Sequence, residues 1–145
     1  CASAGVAVVG APEIKGARIN GAARWLAPDK ALVQLSLRYH WNDIFWFTFF
    51  HEVGHLLIHS KKDAFINDQG KHSGAEQEAD GFASQILIPR RYEADLLEVL
   101  TLQQARDFAE RIGTAPGVVA GRLQHDKRWP YNKGNDLKQR FEFSS

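Results

Sequence analysis

The stretch FTFFHEVGHLLIH, residues 47–59, decides how this chain of 145 residues folds. Apolar residues surround most of the axis when the stretch is wound as a helix, and this predicts a central, buried helix over residues 42–59. Polar side chains remain on one strip of that helix, at Thr48, His51, Glu52, His55 and His59. Because burying polar groups without partners is costly, this strip predicts a functional site.

The strip contains an H-E-x-x-H motif at residues 51–55. His51 and His55 lie one helical turn apart, so both imidazoles can reach one ion at about 2.0–2.1 Å. Glu52 lies beside them and can accept a proton from a water that the metal activates. The alternative is a buried helix whose histidines are merely hydrogen-bonded, and three ionisable groups on an apolar helix make it less favourable. The motif therefore predicts a zinc site with Glu52 as general base.

A third ligand must come from another element. His59 follows His55 by one more turn, but eight residues of helix place it about 12 Å from His51 along the axis, too far to share one ion. We interpret His59 as a helix-end residue that the helix dipole favours.

A second helix, predicted over residues 74–88, offers acidic side chains for the third position. Glu76 and Asp80 share one face of it, beside small alanines. We expect Glu76 to supply the third ligand and Asp80 to accept a hydrogen bond from the outer nitrogen of a ligand histidine. Glu78 lies about 200° around the axis from Glu76 and is expected to point away into solvent.

These motifs together resemble a known family. The run at residues 47–59, followed by EQEADGFA at 76–83 and ILIP at 86–89, is similar to the ImmA/IrrE metallopeptidases. The segment GRLQ at 121–124 also resembles the end of that domain, and the likeness covers residues 6–124.

The resemblance implies a gluzincin-type site with two histidines and one glutamate. On the family pattern His51 and His55 are the helix ligands, Glu52 the general base and Glu76 the third ligand. The family often has Asn where this chain has Asp80, which leaves metal binding intact and makes the orienting role of Asp80 an open question.

The resemblance also implies a function: a zinc-dependent endopeptidase of the bacterial cytoplasm that cleaves a transcriptional repressor or antitoxin-like factor. Many relatives carry a helix-turn-helix DNA-binding domain before the peptidase. Zn²⁺ is the expected metal, and Mn²⁺ is possible because His/Glu sites also accept other divalent ions. The alternative is a catalytically silent, peptidase-like regulatory domain attached to a DNA-binding transcription regulator. A purely structural zinc domain is disfavoured because such sites are usually rich in cysteine.

Composition and charge limit the other classes of protein that the chain could belong to. The formal net charge is +1 with no basic cluster, so we expect no direct nucleic-acid binding by this segment. No apolar run reaches membrane-spanning length. Cys1 is the single thiol, which is compatible with a reducing, cytoplasmic environment, although a leading Cys is also found in lipoproteins. The absence of Met indicates a fragment of a longer protein that contains one metallopeptidase-like domain over residues 1–145.

The patterns predict an α+β fold, a small three-stranded and mostly antiparallel sheet followed by a helical bundle that carries the zincin-type helix. Strands are predicted at residues 6–9, 17–26 and 31–38, with a turn at 27–30. Residues 61–74 are predicted to form a loop. Further helices are predicted at residues 91–100, 102–112 and 115–124. Asn42 and Thr114 are the predicted N-caps of the first and last helices.

The tail over residues 125–145 has no clear pattern. Its expected aromatic anchors are Trp129, Tyr131, Phe141 and Phe143. Four side chains are candidate donors to the negative oxygen of the transition state, and the sequence does not choose among them: His125, Tyr92, Arg122 and Tyr131. We also expect the edge of the strand at residues 31–38 to bind an extended substrate as an added strand.

Overall fold

The computed structural model describes residues 1–11, 21–36, 41–59 and 69–141. Three strands precede five α-helices along these residues, so the α+β class is confirmed. The strands are β1 (Val6–Ala11), β2 (Gly21–Ala27) and β3 (Lys30–Ser36). The helices are α1 (Asn42–Ile58), α2 (Gln69–Leu87), α3 (Glu93–Leu97), α4 (Leu102–Ile112) and α5 (Pro116–His125).

The sheet is mixed, with strand order β1-β3-β2, and not mostly antiparallel as expected. β2 and β3 form the predicted antiparallel hairpin, in which Ala27 is opposite Lys30 across a tight turn. β1 lies on the other side of β3 and is parallel to it, with Val8 opposite Val33. Because β3 is central, both of its edges are occupied, so the prediction that its edge binds substrate is wrong.

The two long helices differ in how well they match their predicted ends. α1 is confirmed almost residue for residue, but its last turn is not buried: Leu57 is 67% exposed. Folded proteins leave much apolar surface exposed, so all-round apolarity did not guarantee burial. α2 begins at Gln69, inside the predicted loop. Gly70 and Gly74 lower helix propensity there, but propensity is a weak guide that tertiary structure often overrides.

The chain forms two compact units, Cys1–Arg38 with Phe47–Ala83 and Tyr39–Trp46 with Ser84–Ser145. In the first unit β3 buries Val33 and Leu35, and α2 buries Ala79 and Ala83. The second unit has an apolar core formed by α4, α5 and neighbouring segments. The large residues of this core include Leu96, Phe108, Leu123 and Trp129. The single-domain interpretation of residues 1–145 stays a prediction.

The described part of the tail, residues 126–141, packs within the second unit. Trp129 and Leu137 are buried in the core. The buried Gln124 side chain donates to the carbonyl of Lys133 at 2.7 Å and to Asn135 Oδ1 at 3.0 Å, which ties the tail to α5. Phe141 packs edge-on against Phe45, with ring centroids 5.0 Å apart, as an anchor would. Tyr131 is 75% exposed and does not anchor the tail, and Phe143 lies outside the described residues.

Helix starts in this unit differ from the predicted caps. Ala115, not Thr114, is the N-cap of α5, because Pro116 occupies the first helical position. Asn42 is itself the first residue of α1, and its side-chain oxygen accepts from the Gln139 N–H at 3.1 Å. Thr101 begins α4 with a capping box that the sequence analysis did not identify.

Within the described part of the chain, no helix is both long enough and apolar enough to cross a membrane.

Candidate metal centre

Helix α1 places the two histidines of the motif against each other. His51 and His55 lie one turn apart, and their Nε2 atoms are 3.0 Å from each other. Both side chains are largely buried, with 14% and 23% of their surface exposed. Two imidazole nitrogens so close together can share one ion.

Helix α2 brings Glu76 to the same point. Its Oε2 lies 3.2 Å from His51 Nε2, and its Oε1 lies 3.1 Å from His55 Nε2. In a tetrahedral zinc site with bonds of about 2.0–2.1 Å, neighbouring ligand atoms are about 3.3 Å apart. The observed separations are close to that value, so the two nitrogens and the carboxylate fit a zinc ion. These three residues form a group that can hold a metal ion.

Small residues allow the two helices to approach closely enough for this. Gly54 is buried, and a Cβ atom added to it would lie 3.3 Å from the Ala79 Cα and 3.1 Å from a ring carbon of Phe82. Ala79 and Ala83 are themselves fully buried. A side chain at Gly54 would require these neighbours, on the helix that carries Glu76, to move by a few tenths of an ångström.

The outer nitrogen of each histidine also has a partner. His51 Nδ1 lies 2.8 Å from Asp80 Oδ1, and His55 Nδ1 lies 3.1 Å from His59 Nδ1. His59 Nε2 in turn lies 3.1 Å from Glu78 Oε2. Glu78 is exposed as expected but does not point away from α1. Its side chain is long enough to reach the end of that helix.

Glu52 is the buried carboxyl group of the site, with only 9% of its surface exposed. Burial raises its pKa above the ordinary value; the positive charge of His51 opposes this rise, and the negative charge of Glu76 adds to it. A carboxylate with a raised pKa is a better proton acceptor than one in water, which suits a general base.

Glu52 lines a cavity of about 290 Å³ in the first unit. The other lining residues are Gly21, Phe47, Thr48, His51, Glu76 and Asp80. Gly21 begins β2, and a Cβ atom added there would lie 2.7 Å from Thr48 Cγ2 and 2.9 Å from Glu52 Cγ. The absence of a side chain at Gly21 therefore leaves space for the Glu52 side chain.

The pKa of His55 is lowered, first by burial. The carboxylate of Glu76 opposes this through its charge and hydrogen bond, whereas His51 and His59 lower the pKa further. A lowered pKa keeps the imidazole neutral at physiological pH, and only the neutral form can bind a metal.

The four proposed transition-state donors all belong to the second unit. Arg122 donates to Asp126 Oδ2 at 2.7 Å, and Tyr92 packs edge-on against Phe108. His125 and Tyr131 are exposed. Their roles, like those of the predicted ligands, the general base and Asp80, stay predictions.

Sequence reasoning missed two contributions to this site. The four-residue spacing signalled only that His55 and His59 would meet, and the contact of Glu78 with His59 carried no signal in the sequence. Gly21 carried no signal, because its importance depends on how β2 packs against α1.

The family comparison agrees with this geometry. The family model Peptidase_M78, described as an IrrE N-terminal-like domain, matches residues 42–124, which is more than half of the chain. The match includes the motif on α1 and the acidic run on α2. No curated protein matches the chain. Membership supports a peptidase-like function, and the His51, His55 and Glu76 group is compatible with a metallopeptidase. The chain belongs to the Peptidase_M78 family of IrrE N-terminal-like domains.

Proposed function

We propose that the chain is a zinc-dependent endopeptidase that cleaves a transcriptional repressor or antitoxin-like factor. The observation that carries the proposal is the convergence of His51, His55 and Glu76 on one point, with the buried Glu52 beside them in an open cavity. The protein substrate is inferred from the resemblance to the ImmA/IrrE peptidases.

His51, His55 and Glu76 would hold the ion, either Zn²⁺ or Mn²⁺. When bound, the ion supplies Lewis acidity, which polarises a peptide carbonyl and acidifies water. Glu52 accepts a proton from the attacking water at its carboxylate and passes it to the departing amine nitrogen. Its position in the helix next to His51 holds it within the same cavity as the ligands.

The outer position of β2 in the described sheet supports the choice of an extended peptide as substrate. β2 is an edge strand of the sheet, and its first residue, Gly21, lines the cavity. An extended segment added to the outer edge of β2 would receive main-chain hydrogen bonds beside Glu52. β2 therefore replaces β3 as the proposed binding edge.

The test uses purified protein, loaded with zinc or manganese, and a peptide library prepared from a bacterial proteome. We expect cleavage by the wild type, and a loss of about 10²–10⁴-fold in Glu52→Gln while metal content is unchanged. A repressor encoded beside the same gene is the protein substrate to test next. Stoichiometric metal binding without any cleavage of library or repressor would contradict the peptidase and favour the silent regulatory domain.

A further inference from the structure

We propose that His59 and Glu78 are positioning residues of the metal centre, which hold His55 through two hydrogen bonds in series. The inference rests on the proposed metal-binding function of His55. It assigns a role to two residues that are not ligands. It also means that His51 and His55 are oriented by different kinds of partner.

The direction of each hydrogen bond follows from the nitrogen of His55 that would bind the ion. His55 Nε2 faces Glu76 Oε1 at 3.1 Å and must present a lone pair to bind an ion. The proton of the neutral ring then resides on Nδ1, which is 3.1 Å from His59 Nδ1. His55 therefore donates and His59 accepts.

The same reasoning continues to the second bond. Because His59 accepts at Nδ1, its own proton resides on Nε2, which is 3.1 Å from Glu78 Oε2. His59 Nε2–H therefore donates to the Glu78 carboxylate. With both rings neutral, one arrangement of protons satisfies both contacts, so the series fixes the tautomer and the ring orientation of His55.

The arrangement differs from that of the other ligand. His51 donates directly to the Asp80 carboxylate at 2.8 Å, whereas a neutral imidazole separates His55 from its carboxylate. A carboxylate in direct contact makes a histidine a more basic ligand. The two carboxylates are similarly exposed, 61% for Glu78 and 55% for Asp80, so the difference lies in the direct contact and not in screening by solvent. We therefore expect Asp80 to contribute more to metal affinity than Glu78 does.

The experiment measures zinc affinity by chelator competition in the full chain. The variants are His59→Leu, which removes the acceptor and retains bulk, His59→Gln, which offers both an acceptor oxygen and a donor amide, and Glu78→Ala. Gln77→Ala is the matched control, because Gln77 is exposed on the same helix between the two glutamates. Thermal unfolding of each metal-free variant reports whether the substitution disturbs folding.

We expect zinc to bind about 10–100-fold more weakly in His59→Leu, with a smaller loss in Glu78→Ala and none in Gln77→Ala. His59→Gln should recover part of the affinity. In the cobalt-substituted protein, the visible absorption bands should shift in His59→Leu and stay unchanged in the control, a difference that lost packing alone would not produce. If His59→Leu does not fold, the Glu78→Ala and His59→Gln comparison decides.

The two ways of failing are distinguishable. A wild type that binds no zinc would overturn the proposed function together with this inference. A wild type that binds zinc, with His59→Leu and Glu78→Ala equal to it in affinity and cobalt spectrum, would overturn the positioning role alone.

Discussion

Helix α2 in the first unit and the apolar core of the second unit bury different kinds of residue. In the second unit, large apolar side chains such as Leu123 and Phe108 fill the core. Among the side chains of α2 that the structure describes, the fully buried ones are Ala79 and Ala83, which have little apolar surface to contribute. Because hydrophobic stabilisation increases with the apolar area buried, the core of the second unit stabilises the fold more than the buried face of α2 does. The small residues of the first unit instead let the helices approach and place charged groups together.

The largest effect is expected when the carboxylate that α2 brings to the histidines is removed. Glu76→Gln removes the carboxylate of the proposed third ligand. We therefore expect zinc affinity to fall by more than about 100-fold, beyond what the loss of an orienting group costs. The proposed peptidase activity should disappear with it. Chelator competition and the cleavage assay measure the two losses. Glu110→Gln, an exposed glutamate of α4, serves as the control and should match the wild type.

A substitution in the apolar core tests the other side of the comparison. Leu123→Ala should lower the free energy of unfolding by about 2–5 kcal/mol, because it leaves a cavity at a fully buried position. Leu100→Ala, at a residue that is 62% exposed, should cost less than about 0.5 kcal/mol. Urea denaturation measures both.

The zinc affinity of folded Leu123→Ala should equal that of the wild type, because the ligands and their partners all belong to the first unit. A parallel loss of zinc affinity would mean that the core of the second unit also holds the ligands in place. The division between stability and chemistry would then be wrong.

Two glycines sharpen the claim that close helix approach serves the site. An alanine at Gly54 would meet the backbone of Ala79 and the ring of Phe82, whereas nothing lies within 4 Å of a Cβ atom at Gly81. We expect Gly54→Ala to cost about 1–3 kcal/mol of stability and to weaken zinc binding. Gly81→Ala should stabilise α2 by up to about 1 kcal/mol and leave zinc affinity unchanged. Equal effects of the two substitutions would remove the argument from close packing.

What could be predicted from the sequence was set by local geometry. The i, i+4 spacing places His51 beside His55 in any helix, and the same spacing relates Glu76 to Asp80. The side of β3 on which β1 lies could not be predicted, because it depends on a long-range pairing. The reach of Glu78 to His59 likewise depends on how far α2 is shifted along α1. No periodicity within one helix contains that information.

The smallest predicted effect concerns the ionisation of Glu52 in the metal-free protein. Its pKa is raised in the folded state, first by burial, so the folded protein holds this proton more tightly than the unfolded chain does. The unfolded chain therefore binds fewer protons between the ordinary value of 4.5 and the raised value. In that window the contribution of Glu52 to stability falls as the pH rises, and above it the full cost of burying the charge remains.

Glu52→Gln removes that charge, so the metal-free variant should be more stable than the wild type near neutral pH. The difference should shrink as the pH falls towards 4.5, where the wild-type carboxyl group takes up its proton. Thermal unfolding in the presence of a chelator, from pH 4.5 to 8, measures the difference directly. A stability difference that is the same at every pH would show that packing, not ionisation, causes it. The buried Glu52 carboxylate would then not destabilise the folded protein electrostatically.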